Sequence, residues 1–448
     1  MLEVRLKEMA YDNGGGIHSG HMLAKAEGAV LVDPELTNNE DKSNKLRGLI
    51  LSGARVTKAR TFGLVIKNAD KSVYLSKQIG EMLNRRFHTY VHGTKRGVAT
   101  PKNDAYVDLI LHPRYKHNIP RYIRVIRAVP LRETASEKLE RLALLENQLN
   151  DPISASNAAI KLEAIGKDAI PILRKALESK DQEIRFYAAE ALAYLDDSNA
   201  ATHLGDAARD VPAFRVFALT ALSTMDDIGA SDELKALLDS PSAETRYGAF
   251  RALWGMNSAD PTISGVFLNE RVHLHQIPSK AAPLVHVTRT FRPEVVLFGD
   301  GHRLAAPATL EAGKHLLIRV ESESRVTISR FVVGEPDKRV EVPNNLAEVI
   351  KALVELGAHY PDVVQCLHEA NRTRVLSARL EVDKYPQTGR RYNRAGGSDE
   401  STEVSDDQAY EVGGALPNLF GRRSGGAIID SERDEKSSSK TDKAATSP

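Results

Sequence analysis

The feature that most restricts this chain is an internal repeat. Ala158, Ala188, Ala218 and Ala249 follow one another at steps of 30, 30 and 31 residues. Around three of them the sequence reads EIRFYAAEALAYL (183–195), AFRVFALTALSTM (213–225) and ETRYGAFRALWGM (244–256). These copies share Arg185, Arg215 and Arg246, and the pairs Ala191-Leu192, Ala221-Leu222 and Ala252-Leu253. The first copy, ASNAAIKLEAI (155–165), is degenerate. A fixed period near 30 residues with paired helices means an α-solenoid, whose units bury their apolar faces only against their neighbours. Small alanines let the two helices of a pair approach closely. The recurring arginine is expected to cap or brace the neighbouring repeat.

The pattern resembles the short HEAT-like repeats, over about four copies within residues 133–262. The flanks differ. In residues 1–132, LEVRLKE, GHMLAKAEGAVLVD and RTFGLVIKN alternate as strands do. DKSVYLSKQIGEMLNRRF (70–87) has helical spacing, with Asp70 as its expected cap. AYVDLILHP is a further strand, ended by Pro113. That order predicts one sheet with helices on a face. The region 263–385 returns to strands (LVHVTRTF, EVVLFG, KHLLIRVES, RVTISRFVVG) and ends on two short amphipathic runs and a strand. Residues 386–448 collapse into Gly, Ser, Asp, Glu and Lys and are expected to be a disordered tail. The expected fold class is α+β, with mixed-sheet domains interrupted by an all-α solenoid insertion.

The net charge of +1 carries no global nucleic-acid or membrane signal. From Arg85 to Arg132, however, 11 Lys/Arg residues face only Asp104 and Asp108. Arg85, Arg86, Arg114, Lys116, Arg121 and Arg124 therefore form a candidate interaction surface for an anionic partner. Tyrosines interleave with them, but no nucleic-acid motif accompanies them, so a protein contact is expected and no nucleic acid.

Catalytic chemistry is sparse. NGGGIHSGH (13–21) lacks the Gly-Lys-Ser/Thr ending of a phosphate loop and reads as a hairpin loop. His273 and His275 share a strand face without a third ligand. HTYVH reads as extended, which would separate His88 and His92 by about 13 Å. Cys366 sits at an apolar helix position and reads as a core thiol. No catalytic, cofactor-binding or metal residue is assigned. No apolar run approaches the roughly 18 residues of a membrane helix. The N-terminus lacks the apolar region of a signal peptide, and a strand pattern from Met1 also suits a chain that begins inside a domain.

The flanks together resemble the bacterial flagellar P-ring protein family. Val349, Ala352, Leu353, Leu356, Gly357 and Ala358, then Pro361, Asp362, Val363, Val364 and Leu367, then Leu376, Ala378, Leu380, Glu381 and Val382 carry it at the C-terminal end. Gly53, Ala54, Val56, Leu64, Asn68, Ala69, Asp70, Ile79 and Asn84 carry it near the N-terminus. The segments 107–131 and 294–320 are similar to two intervening stretches. Asn371 and Arg372 replace the family's small residues. The repeats stand where the family has a short connection, the tail is extra, and the family's first third, with its signal peptide, has no counterpart. The resemblance implies a non-enzymatic, homo-oligomeric ring subunit in the periplasm. Rod and L-ring proteins and peptidoglycan would be its neighbours at the flagellar basal body, and the repeats would project to dock an unidentified protein. The alternative is a HEAT-repeat scaffold or adaptor unconnected with a flagellum.

Overall fold

The computed structural model describes residues 62–290 and 292–394, with shorter segments at 2–7, 11–12, 17–18, 22–28, 30–31, 50–51, 54–56, 409–411 and 417–420. It is an α+β protein. The N-terminal part forms several small sheets where one was expected. Strands β1 (Leu2–Lys7), β4 (Met22–Gly28) and β5 (Ala54–Val56) make one antiparallel sheet. β2 (Tyr11–Asp12) and β3 (Ile17–His18) pair as a hairpin; its loop, 13–16, lies outside the described residues. β6 (Phe62–Val65), β9 (Ala99–Pro101) and β10 (Tyr106–Leu109) form a second three-stranded sheet. β7 (His88–Val91) and β8 (Thr94–Gly97) form a separate hairpin, whose turn holds His92 at φ +48°.

Helix α1 (Val73–Arg86) is capped by Ser72, whose hydroxyl accepts from the Leu75 N–H at 3.0 Å. Asp70 instead closes a short 3₁₀ turn. α2 (Ile119–Ala128) is capped by Asn118 and carries Pro120 in its first turn, where a missing N–H costs nothing. It stays helical to Ala128.

Eight helices follow as four antiparallel pairs: α3 (Ala135–Leu149) with α4 (Pro152–Ile165), α5 (Ile170–Ala176) with α6 (Gln182–Tyr194), α7 (Ala200–Asp210) with α8 (Arg215–Leu222), and α9 (Ile228–Leu237) with α10 (Ala243–Met256). The repeat alanines Ala158, Ala188, Ala218 and Ala249 sit in α4, α6, α8 and α10, all wholly buried. Successive pairs interlock through aromatic rings. Phe186 and Phe214 stack at 4.2 Å with 3° between their planes. The two helix rows are unequal. α6 buries 11 of its 13 residues and α8 all eight, whereas α3 buries only Leu145 and Leu149.

The C-terminal part has two sheets. One is five-stranded and mixed, ordered β11 (Val266–Leu268), β12 (Val272–Ile277), β14 (Glu294–Phe298), β13 (Leu284–Val287) and β19 (Arg379–Val382). The other is an antiparallel meander of β15 (Ala308–Ala312), β16 (Leu316–Val320), β17 (Arg325–Arg330) and β18 (Lys338–Pro343). Helices α11 (Leu346–Glu355) and α12 (Tyr360–Arg372) touch strands of both sheets. Two short strands, β20 (Arg391–Asn393) and β21 (Ala409–Glu411), pair beyond them.

EVVLF in β14 is buried along its whole length because both faces of the strand are covered. Val296 and Phe298 join the core built by the repeat helices; Val295 and Leu297 join the core of the two C-terminal sheets. That first core runs from Ile66 to Phe420. The repeats therefore do not project as a separate insertion. They share one apolar interior with the residues on either side.

Candidate functional site

The inner helix row is where the parts of the chain meet. The three repeat arginines do one job there. Arg185 donates to the Ser179 carbonyl at 2.6 Å, Arg215 to the Ala208 carbonyl at 2.8 Å, and Arg246 to the Ser240 and Ala282 carbonyls. Arg215 thereby satisfies a last-turn carbonyl of α7, and Arg185 and Arg246 bond carbonyls in the turns that follow α5 and α9. The arginines thus lock the two helices of a pair, and Arg246 also ties α10 to the loop before β13.

Of the six basic residues of the candidate surface, four face inward, while Lys95, Arg96 and Lys102 between them are exposed. Arg86 donates to the Glu163 and Ala164 carbonyls at the end of α4. There Gly166, at φ +95°, turns the chain. Arg114 pairs with Asp196 at 2.8 Å, and Lys116 donates to the Gly255 carbonyl at 2.7 Å. Arg121 is 5 % exposed and bridges two carboxylates, Glu163 of α4 and Glu190 of α6, each at 2.6 Å. Tyr115 donates its hydroxyl to Glu163 at 2.6 Å and stacks on Tyr194. Burial works against the charge of Arg121; the two carboxylates more than offset it and hold the guanidinium above its ordinary pKa. Arg85 is exposed, and Arg124 reaches Asn157 at 3.3 Å. The expected anion-binding face is thus largely an internal seam. A cationic segment on one unit found its carboxylates and helix-end carbonyls on the next.

A second polar seam joins α10 to the five-stranded sheet. Tyr247 donates to Glu294 at 2.9 Å and Arg251 donates to it at 3.1 Å; His275 lies 3.7 Å from the same carboxylate. Burial pushes Glu294 up, and Arg251 with Arg292 outweighs it, leaving the carboxyl below its usual range. His286 stacks on Tyr247 with ring centroids 3.9 Å apart. Burial holds His286 and His273 down at about 4 and lowers His275. His273 and His275 do share a strand face, and their rings stack on Phe267 and edge against Phe250 and Trp254. Among the described residues no group of three His, Cys, Asp or Glu could hold a metal ion. Cys366 is buried in α12, where burial pushes its thiol up to about 12. It stays protonated and is unsuited to nucleophilic work.

The third seam was hidden in the expected tail. Residues 386–394 lie against the repeats. Tyr392 packs on Phe214 at 4.6 Å. Arg390 pairs with Glu244, and Arg394 forms a two-pronged pair with Glu183 at 2.7 and 3.0 Å. Glu183 and Glu244 occupy equivalent positions in their repeats. Gly248 lets this strap approach, since a Cβ there would meet Pro386 at 2.6 Å. Leu419 and Phe420 are buried, and Asn418 donates to the His117 and Lys116 carbonyls. Low-complexity composition masked these contacts; the signal was an aromatic or apolar residue beside arginine inside a polar stretch.

A family model described as HEAT repeats matches residues 141–216, from within α3 to the start of α8. Among solved structures, a chain of the complex of CpcE and CpcF of phycocyanin lyase from Nostoc sp. PCC7120 is 20% identical. The alignment covers 28% of this chain and 85% of that one, with a TM-score of 0.24. Nothing about this chain follows from so low a score. No curated protein matches. The repeat block is of the HEAT type.

Proposed function

We propose that this chain is a non-catalytic scaffold. Its HEAT-type block fixes two α+β units in place and offers its outer helices to a protein partner. One observation carries this reading: the inner helix row is filled by the chain itself. The N-terminal unit covers α4 and α6, the five-stranded sheet covers α10, and the strap covers α8. A solenoid offers partners an extended surface; here the α4, α6, α8 and α10 row is spent on contacts within the chain. At the first seam the buried Arg121 is matched to structural partners, Glu163 and Glu190.

The affinity-tagged full chain should bring down a protein in constant ratio from its native cells. The complex should then re-form from the two purified components. If no retained protein gives a saturable complex, the scaffold reading fails.

A narrower proposal rests on the resemblance of the flanks: a P-ring-type subunit in the periplasm, contacting itself, the flagellar rod, L-ring proteins and peptidoglycan. Its support is the 345–382 module, two helices followed by a strand that joins the sheet beside β13. Rings in electron micrographs of the purified chain and recovery from the periplasmic fraction are the expected results. A monomer confined to the cytosol would remove this proposal and leave the scaffold standing.

A further inference from the structure

Away from the seams, a groove of about 540 Å³ opens between α2, α3 and α4. Arg124 and Arg127 of α2, Arg141 of α3 and Lys161 of α4 line it, and no carboxylate does. Arg141 is already engaged by Glu133 and the Ala128 carbonyl. Among the described residues, Arg124, Arg127 and Lys161 have no ion-pair partner; Arg124 meets only the neutral Asn157 amide. Beside them stand exposed aliphatic side chains. Leu144 of α3 lines the groove and is 57% exposed; Ile153 lies outside the lining, one turn before Asn157 on α4, and is 77% exposed.

Three unopposed cations beside exposed aliphatics make a mixed basic and apolar surface with no counter-charge of its own. A surface that pairs unopposed positive charge with exposed apolar side chains has the character of a contact site. The combination complements a chain that alternates carboxylate and aliphatic side chains. No aromatic residue lines the groove, so it lacks the stacking platform that single-stranded nucleic acid uses. We propose that this groove docks an acidic amphipathic segment of a partner protein. Its aliphatic side chains lie on Leu144 and Ile153, and its carboxylates pair with Arg124, Arg127 and Lys161. The proposal rests on the scaffold reading and gives its partner a chemistry. It also leaves Arg124 with the outward role that its inward-facing neighbours lack.

A displayed library of random 12-residue peptides, panned on the full-length chain, tests it. Enriched peptides should be rich in Asp, Glu and aliphatic residues. Their binding, read by fluorescence anisotropy, should weaken at least tenfold in the Arg124→Glu/Arg127→Glu/Lys161→Glu variant and fall with salt. Leu144→Ser should weaken it as well, and its unchanged melting temperature keeps the test sound if the triple variant misfolds. Enrichment without acidic character overturns the groove, as does equal binding to the variants. Equivalent binding of a DNA duplex with the same arginine dependence overturns a protein partner. Binding that emerges only after residues 395–408 are removed overturns it too, in favour of the chain's own carboxylates. If peptides bind elsewhere while the native complex persists, the groove fails and the scaffold survives.

Discussion

A guanidinium that bridges two buried carboxylates cannot be deleted cleanly, because both carboxylates are left buried without their cation. Arg121→Ala should cost about 3–5 kcal/mol in urea unfolding. Replacing Arg121, Glu163 and Glu190 together by Met, Gln and Gln should restore most of that loss. If the single and triple variants unfold alike, the bridge is not what holds α2 to the repeats. His286 gives a pH signature. Its folded pKa of about 4 lies below the roughly 6.5 of an unfolded histidine. Its neutral form is therefore the one the fold accepts. Stability is complete above pH 6.5 and falls as pH drops toward 4, by about 3 kcal/mol at the limit. Glu294, Arg251, Arg292, His275 and Tyr247 share that seam, and His273 and His275 add acid sensitivity of the same sign. His286→Phe keeps the stacking on Tyr247 and should flatten the slope between pH 6.5 and 4. An unchanged slope would place the sensitivity elsewhere. Of these residues the sequence singled out Arg121 and not its partners. Glu163 and Glu190 sit among alanines and leucines as if they were surface positions, and only the packing of a second unit buries them.

At the level of elements, the repeat helices were legible because period, alanines and arginine all pointed one way. So were α11 and α12, whose caps and apolar faces are local in sequence. Pairing of small sheets was not, since β12, β13, β14 and β19 come together across residues 272–382 by contacts no local pattern encodes. The strap was misread for the opposite reason: its composition is that of disorder, and its order comes wholly from the surface it lies on. Tyr392→Ala should then cost about 1–2 kcal/mol, the value of one partly buried aromatic. It should also speed proteolysis near Arg390. Equal stability and equal cutting would mean that the strap merely rests on the repeats.

At the level of the whole molecule, the continuous core changes what the repeats are to their flanks. Excising residues 140–260 removes the carboxylates of Arg121 and two partners of Glu294, Tyr247 and Arg251, and it bares one face of β14. Such a chain should be insoluble or bind hydrophobic dye strongly on expression. A soluble excised chain with a cooperative melt would restore the idea of a separable insertion.

Asn418 closes on His117 and Lys116 across about 300 residues of chain. At a synthesis rate of roughly 5–20 residues per second, His117 is made some 15–60 s before its partner. The N-terminal unit must wait through that interval incomplete. This chain should depend on chaperones during synthesis far more than its modest apolar content suggests.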